Sequence, residues 1–219
     1  MLPFVLDAPR VRLEVPGPAD VEAIVTACSD PEVQRFTTVP VPYDRAEARR
    51  FLERVVDPGW ATGRELTWGI RGPGSSELLG VISWRPRHSD VGFWLTPAAR
   101  GRGLVTEALH RVCDHAFAEG AEAVTWEGYV GNDASAAVAR RCGFTYQGVG
   151  PGLHPGRERS GPHPLCWRAR LLPGDDRVPR AGWPAVGDDA PGTPVSPTEA
   201  ADAPGTARTG SRPHRPEAP

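Results

Sequence analysis

Between Asp90 and Gly120 the hydrophobic period of the chain changes once, across a pair of glycines. "DVGFWLTP" alternates as a strand that Pro97 ends. "GLVTEALHRVCDHAFAEG" then repeats apolar residues at Leu104, Ala108, Val112 and His115 or Ala116, a helix face that stops at Gly120. A strand that becomes a helix through Gly101-Arg102-Gly103 requires an architecture that mixes the two. It also leaves the first amides of the helix unpaired and pointing outward, where glycine lets an anion come close. The stretch "TPAARGRGLVTEAL" therefore reads as an anion cradle or a plain tight turn. It lacks the third glycine of a dinucleotide fingerprint and the Gly-Lys-Ser/Thr ending of a phosphate loop, so neither NAD nor a nucleoside triphosphate is favoured. Arg100 and Arg102 either add charge-assisted contacts to the anion or stand as solvated surface residues. All 25 basic residues are arginine, so an arginine by itself says little here.

The rest of the chain alternates in the same way and predicts one α/β domain in the order β α α β β β α β α β β. "VRLEV" reads as a strand, and "PADVEAIVTACSD" as a helix with Val21, Ile24, Val25 and Cys28 on one face. "DRAEARRFLERVV" is a second helix, capped by Asp44. "LTWGIRG" and "LLGVISWRP" form a hairpin around "GPGSSE". After the cradle helix, "AVTWEGYV" is a strand, "DASAAVARRCG" a helix closed by Gly143, and "FTYQGVG" and "PLCWRARLL" the last two strands. From Pro173 onward the sequence is roughly one third Pro plus Gly with few aliphatics, which predicts a disordered tail over 173–219 after a domain over 1–172. Trp183 in that tail either docks onto the domain or a partner or, as is commoner for a lone aromatic in such a sequence, stays solvated.

A formal charge of -2 gives no general attraction to nucleic acid or to a membrane surface, so neither is expected as a partner. Cys28, Cys113, Cys142 and Cys166 lie far apart without metal-ligand spacing, and no metal is expected. A reduced cytoplasmic protein fits this cysteine use, as a monomer or a homodimer.

About thirty residues beyond the cradle, past another strand, comes "NDASAAVARRCGF", with Asn132 and Ser135 opening a helix. The order strand, Arg100-x-x-Gly103 loop, helix, strand, Asn132-x-x-Ser135 helix resembles the GNAT acyltransferase superfamily. Its wording is similar to the branch of ribosomal-protein N-terminal alanine acetyltransferases. The resemblance covers about Val11 to Leu172 and includes "DPEVQRFTTVPVPYDRAEARRFLE" as the acceptor-side loop and second helix.

The resemblance implies an α/β (α+β) GNAT fold: a mixed, mostly antiparallel sheet, helices on both faces, and a splayed gap between the fourth and fifth strands. It implies acetyl-CoA as co-substrate, its pyrophosphate on Arg100, Gly101, Arg102, Gly103, Leu104 and Val105. The family has a small residue at the last of these positions, and Val105 is a departure. The pantetheine arm would lie in the gap against main-chain groups of Phe93, Trp94, Leu95 and Thr96, one amide polarising the thioester carbonyl. Asn132 would bond the arm, and Ser135 would stand near the sulfur as general acid. Both also fit an ordinary helix cap. For the base, ungapped counting from Ser135 leads to His154, whose ordinary pKa of about 6.5 suits proton uptake near neutrality. The alternatives are a solvated loop histidine at 154, Asp90, Glu127, or deprotonation relayed by water with no dedicated base.

The expected activity is N-acetyl transfer to a primary amine, either a protein N-terminus or a small molecule, with the loop from Phe36 to Tyr43 shaping the choice. Two other readings stand beside it. One is transfer of a longer acyl group such as succinyl, paired by Arg35. The other is a CoA-binding module without turnover.

Overall fold

A computed structural model describes residues 2–157 and 161–184, all within one unit spanning Met1–Asp188. Eight strands join in a single sheet: β1 (Leu6–Asp7), β2 (Arg12–Glu14), β3 (Leu66–Arg71), β4 (Gly80–Arg85), β5 (Asp90–Leu95), β6 (Val124–Tyr129), β7 (Thr145–Pro151) and β8 (Leu165–Leu171). The spatial order is β1-β2-β3-β4-β5-β6-β8-β7. Every neighbouring pair is antiparallel except β5 and β6, which run parallel. That exception follows from the cradle helix α5 (Leu104–Ala118), because two consecutive strands with a helix between them return in the same direction. The expected fourth and fifth strands are thus β5 and β6, the added β1 shifting the count.

Alternation along the strands assigns the two faces. Trp68 and Trp84 meet the ring of His115 on α5, at centroid separations of 6.0 and 5.6 Å. Val91 lies opposite Trp84, and Trp126 opposite Val91, so both share the α5 face, where α6 (Asp133–Arg141) also packs. The other face carries Arg71, whose guanidinium reaches the Asp20 carboxylate at 2.8 Å just before α1 (Val21–Cys28), and a Thr67–Ser83 hydroxyl pair at 2.9 Å. Helices therefore cover both faces. The core between them is mostly apolar, with Trp60, Trp68, Trp126 and Phe144 fully buried.

Two helical stretches exceed the sequence reading. α2 (Pro31–Phe36) forms within the acceptor-side loop because Asp30 caps it, accepting from the Val33 amide at 3.2 Å, and Pro31 suits the first turn. The second expected helix begins as α3 (Arg45–Phe51) behind its Asp44 cap. It continues through a π-turn (Leu52–Val56) into α4 (Asp57–Thr62), with Gly63 ending it at φ 69°.

Chain contacts continue beyond the boundary expected at Leu172. Residues 173–184 pack on the domain, with Leu172 N donating to Asp175 Oδ2 at 2.8 Å and Arg177 pairing with Asp114 at 3.0 Å. Trp183, expected in solvent, packs against the core and donates from its indole to the Phe144 carbonyl at 3.2 Å. The remainder of the expected tail, 185–219, lies outside the described residues.

Candidate active site

β5 is paired with β4 along its whole length, yet it meets β6 only at Asp90↔Thr125 and Val91↔Trp126. From Gly92 onward the two strands part, and one edge of β5 is left open. Thr96 N donates to Leu79 O at 2.9 Å, and the alternation of an antiparallel ladder then turns Trp94 and Gly92 toward β4 as well. A Cβ at Gly80, on β4, would come within 2.4 Å of Trp94 O, consistent with that direction. The main-chain groups that face the gap are those of Phe93 and Leu95. This narrows the stretch from Phe93 to Thr96 to two residues.

At the end of β5 the cradle takes its shape from two left-handed glycines, Gly101 at φ 72° and Gly103 at φ 71°, the latter capping α5. Arg100 reaches two ways: its Nη2 lies 2.5 Å from Asp30 Oδ1 and 3.4 Å from Leu95 O. Burial works to raise the Asp30 pKa, and the Arg100 hydrogen bond and charge with the Val33 amide outweigh it, holding the carboxyl below its ordinary range. Arg102 is exposed, and its carbonyl accepts from Arg10 Nη1 at 3.1 Å. Arg10 also grips Glu107 in the first turn of α5, from its backbone N at 2.6 Å and Nε at 2.7 Å. Arg10 went unnoticed in the sequence, since nothing local links it to residues 102 and 107. Leu104 and Val105 are both buried in the core. The bulk of Val105 is therefore absorbed inside the domain.

On the α5 face, Asn132 caps α6 and its Oδ1 accepts from Ser135 N at 3.2 Å. The capping role weighed for it is thus realised. Ser135 Oγ accepts a hydrogen bond from the Trp126 indole at 3.2 Å, and that indole is only 1% exposed. Trp126 was another residue the sequence reading passed over, being an unremarkable strand aromatic.

On the opposite face the three candidate bases prove to be one assembly. Asp90 is buried, accepting from Arg85 Nε at 2.9 Å and lying 3.1 Å from His154 Nε2. Burial pushes its pKa up, but the hydrogen bonds from His154 and Arg85 and their charges prevail, bringing it down to about 2. Glu127 is tied to Arg168 at 3.0 Å and accepts from Leu153 N at 2.7 Å. It therefore holds the backbone beside His154 instead of facing open solvent. Arg157, farther along the same loop, donates to Val39 O at 3.0 Å and to Gln34 O, joining the loop to α2 and the acceptor-side segment. Tyr129 sits half-buried on this face; burial and then the Cys166 charge raise its pKa against the influence of Arg157, so the phenol keeps its proton. His154 itself stays open, with its side chain 45% exposed.

The open β5 edge, the cradle and the two held side chains make a site suited to acyl transfer. Residues 10–145 match the acetyltransferase (GNAT) domain family, and the chain belongs to it. It is an acyltransferase of that family, with acetyl-CoA as the acetyl donor. Similar folds include a structure from T. thermophilus provisionally named an acetyltransferase, 26% identical, covering 80% of this chain and 92% of its own, at a TM-score of 0.65. Another is the Salmonella typhimurium acetyl transferase that modifies the N-terminal serine of the 50S ribosomal subunit protein L7/L12: 19% identity, 77% and 99% coverage, TM-score 0.64. A third is the microcin C7 self-immunity acetyltransferase MccE in complex with acetyl-CoA and AMP: 20% identity, 75% and 93% coverage, TM-score 0.62. No helix among the described residues is long and apolar enough to cross a membrane.

Proposed function

We propose that this chain acetylates a primary amine at the β5–β6 gap, with His154 as general base and Ser135 as hydrogen-bond donor to the departing sulfur. The observation that carries the reading is where the two are anchored. Asp90, which holds His154, and Trp126, which holds Ser135, are at the last positions where β5 and β6 still pair, on opposite faces of the sheet. The opening begins between them.

Acetyl-CoA would lie with its pyrophosphate against the amides of Gly101 to Val105, beside Arg100 and Arg102, and with its arm along the open edge of β5. It supplies the activated acetyl group. Asn132 offers the amide Nδ2 to that arm while its Oδ1 caps the helix. The amides of Phe93 and Leu95 face the gap and can donate to a developing oxyanion.

The Asp90 carboxylate, ionised at any pH well above 2, accepts from the Nε2–H of His154 and so leaves Nδ1 as the nitrogen with the lone pair. Nδ1 takes the proton that the amine loses as its nitrogen bonds to the acetyl carbon. On the other face, the Ser135 hydroxyl already accepts the Trp126 N–H, which makes its own O–H a better donor to the thiolate as the carbon–sulfur bond breaks. Solvent completes that protonation. Asp90 and Glu127 act as positioning residues.

For the acceptor we favour the α-amine of a peptide or protein. The Salmonella enzyme of similar fold, which modifies an N-terminal serine, supports this, as does the segment at Phe36 to Tyr43 that Arg157 ties to the His154 loop. Four free, buried cysteines suit a reducing cytoplasmic setting, with burial pushing Cys28 and Cys113 to about 12. The catalytic domain would take in residues 173–184 after the last strand and act as a monomer or homodimer.

Thiol release from acetyl-CoA, measured over a panel of N-terminal peptides and small amines, tests the assignment. Turnover with peptides is the expected result. Tight acetyl-CoA binding by calorimetry with no release across the panel would overturn it.

A further inference from the structure

The domain does not end at its last strand. The segment after β8 runs back over the end of α6: Asp176 O lies so close to Gly143 that a Cβ there would meet it at 2.2 Å, and the Arg177 guanidinium rests over the Phe117 ring at 5.6 Å. The segment brings Trp183 to a hole bounded by β6, β7 and the turn between α6 and β7. Its ring packs against Trp126 of β6 at 5.6 Å and Tyr146 of β7 at 5.4 Å, and its indole donates to Phe144 O, just past α6, at 3.2 Å.

Trp126 thus has two commitments. One edge carries the N–H that Ser135 Oγ accepts at 3.2 Å, and the ring packs against Trp183. β6 loses its β5 partner immediately after Trp126, so strand pairing on that side does not hold the backbone there beyond this residue. β8 holds the backbone from the other edge, so what packing must restrain is the orientation of the indole itself.

We infer that Trp183 is a positioning residue for Ser135, fixing the indole that holds its hydroxyl and pinning the far end of the same helix through Phe144. The inference rests on the reading of Ser135 as donor to the leaving sulfur. Its physical basis is that an aromatic packed on both sides keeps one rotamer, whereas one bordering a void samples several. A hydroxyl displaced by part of an ångström donates poorly to a sulfur at a fixed place.

The test uses the full chain and four proteins: wild type, Trp183→Ala, Ser135→Ala and the double variant. With Ser135 present, Trp183→Ala should lower kcat for thiol release about fivefold while KM for acetyl-CoA stays within about twofold. In the Ser135→Ala background the same change should cost less than about twofold, because the side chain being positioned is gone. In nitrogen-15-labelled protein, the Trp126 indole N–H resonance should move in Trp183→Ala toward its position in Ser135→Ala. Trp183→Phe, which keeps an aromatic ring in the hole, should restore most of both signals and covers the case in which the alanine variant folds poorly. Equal losses of kcat in the two backgrounds, or an unmoved indole resonance, would overturn the inference. If Ser135→Ala alone leaves kcat unchanged, the assignment of Ser135 in the chemistry fails, and the indole resonance by itself then decides whether the segment positions it.

Discussion

The two sides of the β5–β6 gap are held by different forces. On the α5 face Ser135 depends on a buried indole wedged between a helix and the segment that carries Trp183, a neutral contact fixed by packing. On the other face His154, nearly half exposed, depends on the Asp90 carboxylate and on a loop tied down by Glu127 and Arg157. Packing is short-ranged and insensitive to pH or salt, while ion pairs respond to both. On the proposed assignment, the stiff support would stand beside the thioester, whose position must be constant, and the responsive support beside the acceptor. It follows that substitutions on the two faces should differ in kind as well as size.

The largest effect should come from His154→Ala. Loss of a positioned base predicts a kcat lower by about 100-fold, with the rise of rate with pH that reports the neutral imidazole also lost. A pH-rate profile unchanged in shape would remove His154 from the base role and return the choice to water relay.

Next in size is Gly103→Val, which acts on the cradle alone. Its φ of 71° excludes a β-branched side chain, and a Cβ there would meet Arg10 Nη2 at 3.3 Å. The first amides of α5 would turn, raising KM for acetyl-CoA by about tenfold while acceptor KM holds. Equal changes in both constants would show that the cradle and the acceptor face are coupled after all.

The smallest effect is on stability. Asp90 has its folded pKa depressed to about 2 from an ordinary 3.8, so its contribution is present above pH 4 and lost as pH falls through 2. Between pH 5 and 2 the wild type should therefore lose about 2 kcal/mol more than Asp90→Asn, read from urea midpoints. Ser135→Ala, on the packed face, should show no such divergence from wild type over that range.

Much of this was legible in the chain. β5, the cradle, α5, β6 and α6 followed from hydrophobic period, two glycines and an Asn-x-x-Ser cap, all of them signals that act within one turn or one strand. His154 was reached by counting, and Asp90 and Glu127 were named beside it as rivals. Only the structure shows that they belong together, because Asp90 and His154 stand 64 residues apart and meet where the loop after β7 folds over β5. Trp183 was misjudged for a related reason. A lone aromatic among prolines and glycines resembles disorder, and the hole that receives it is built by Trp126 of β6, Tyr146 of β7 and Phe144 in the turn between α6 and β7.

By itself the sequence determined most of the elements and the glycine turn that joins β5 to α5, since periodicity and glycine conformation are properties of neighbouring residues, and the order of its motifs carried the resemblance to the family. The tertiary structure decided which groups face the gap, which carboxylate holds His154, and that β8 inserts between β6 and β7. Those outcomes depend on strand order and on side chains brought together from distant positions, for which a local pattern carries no signal.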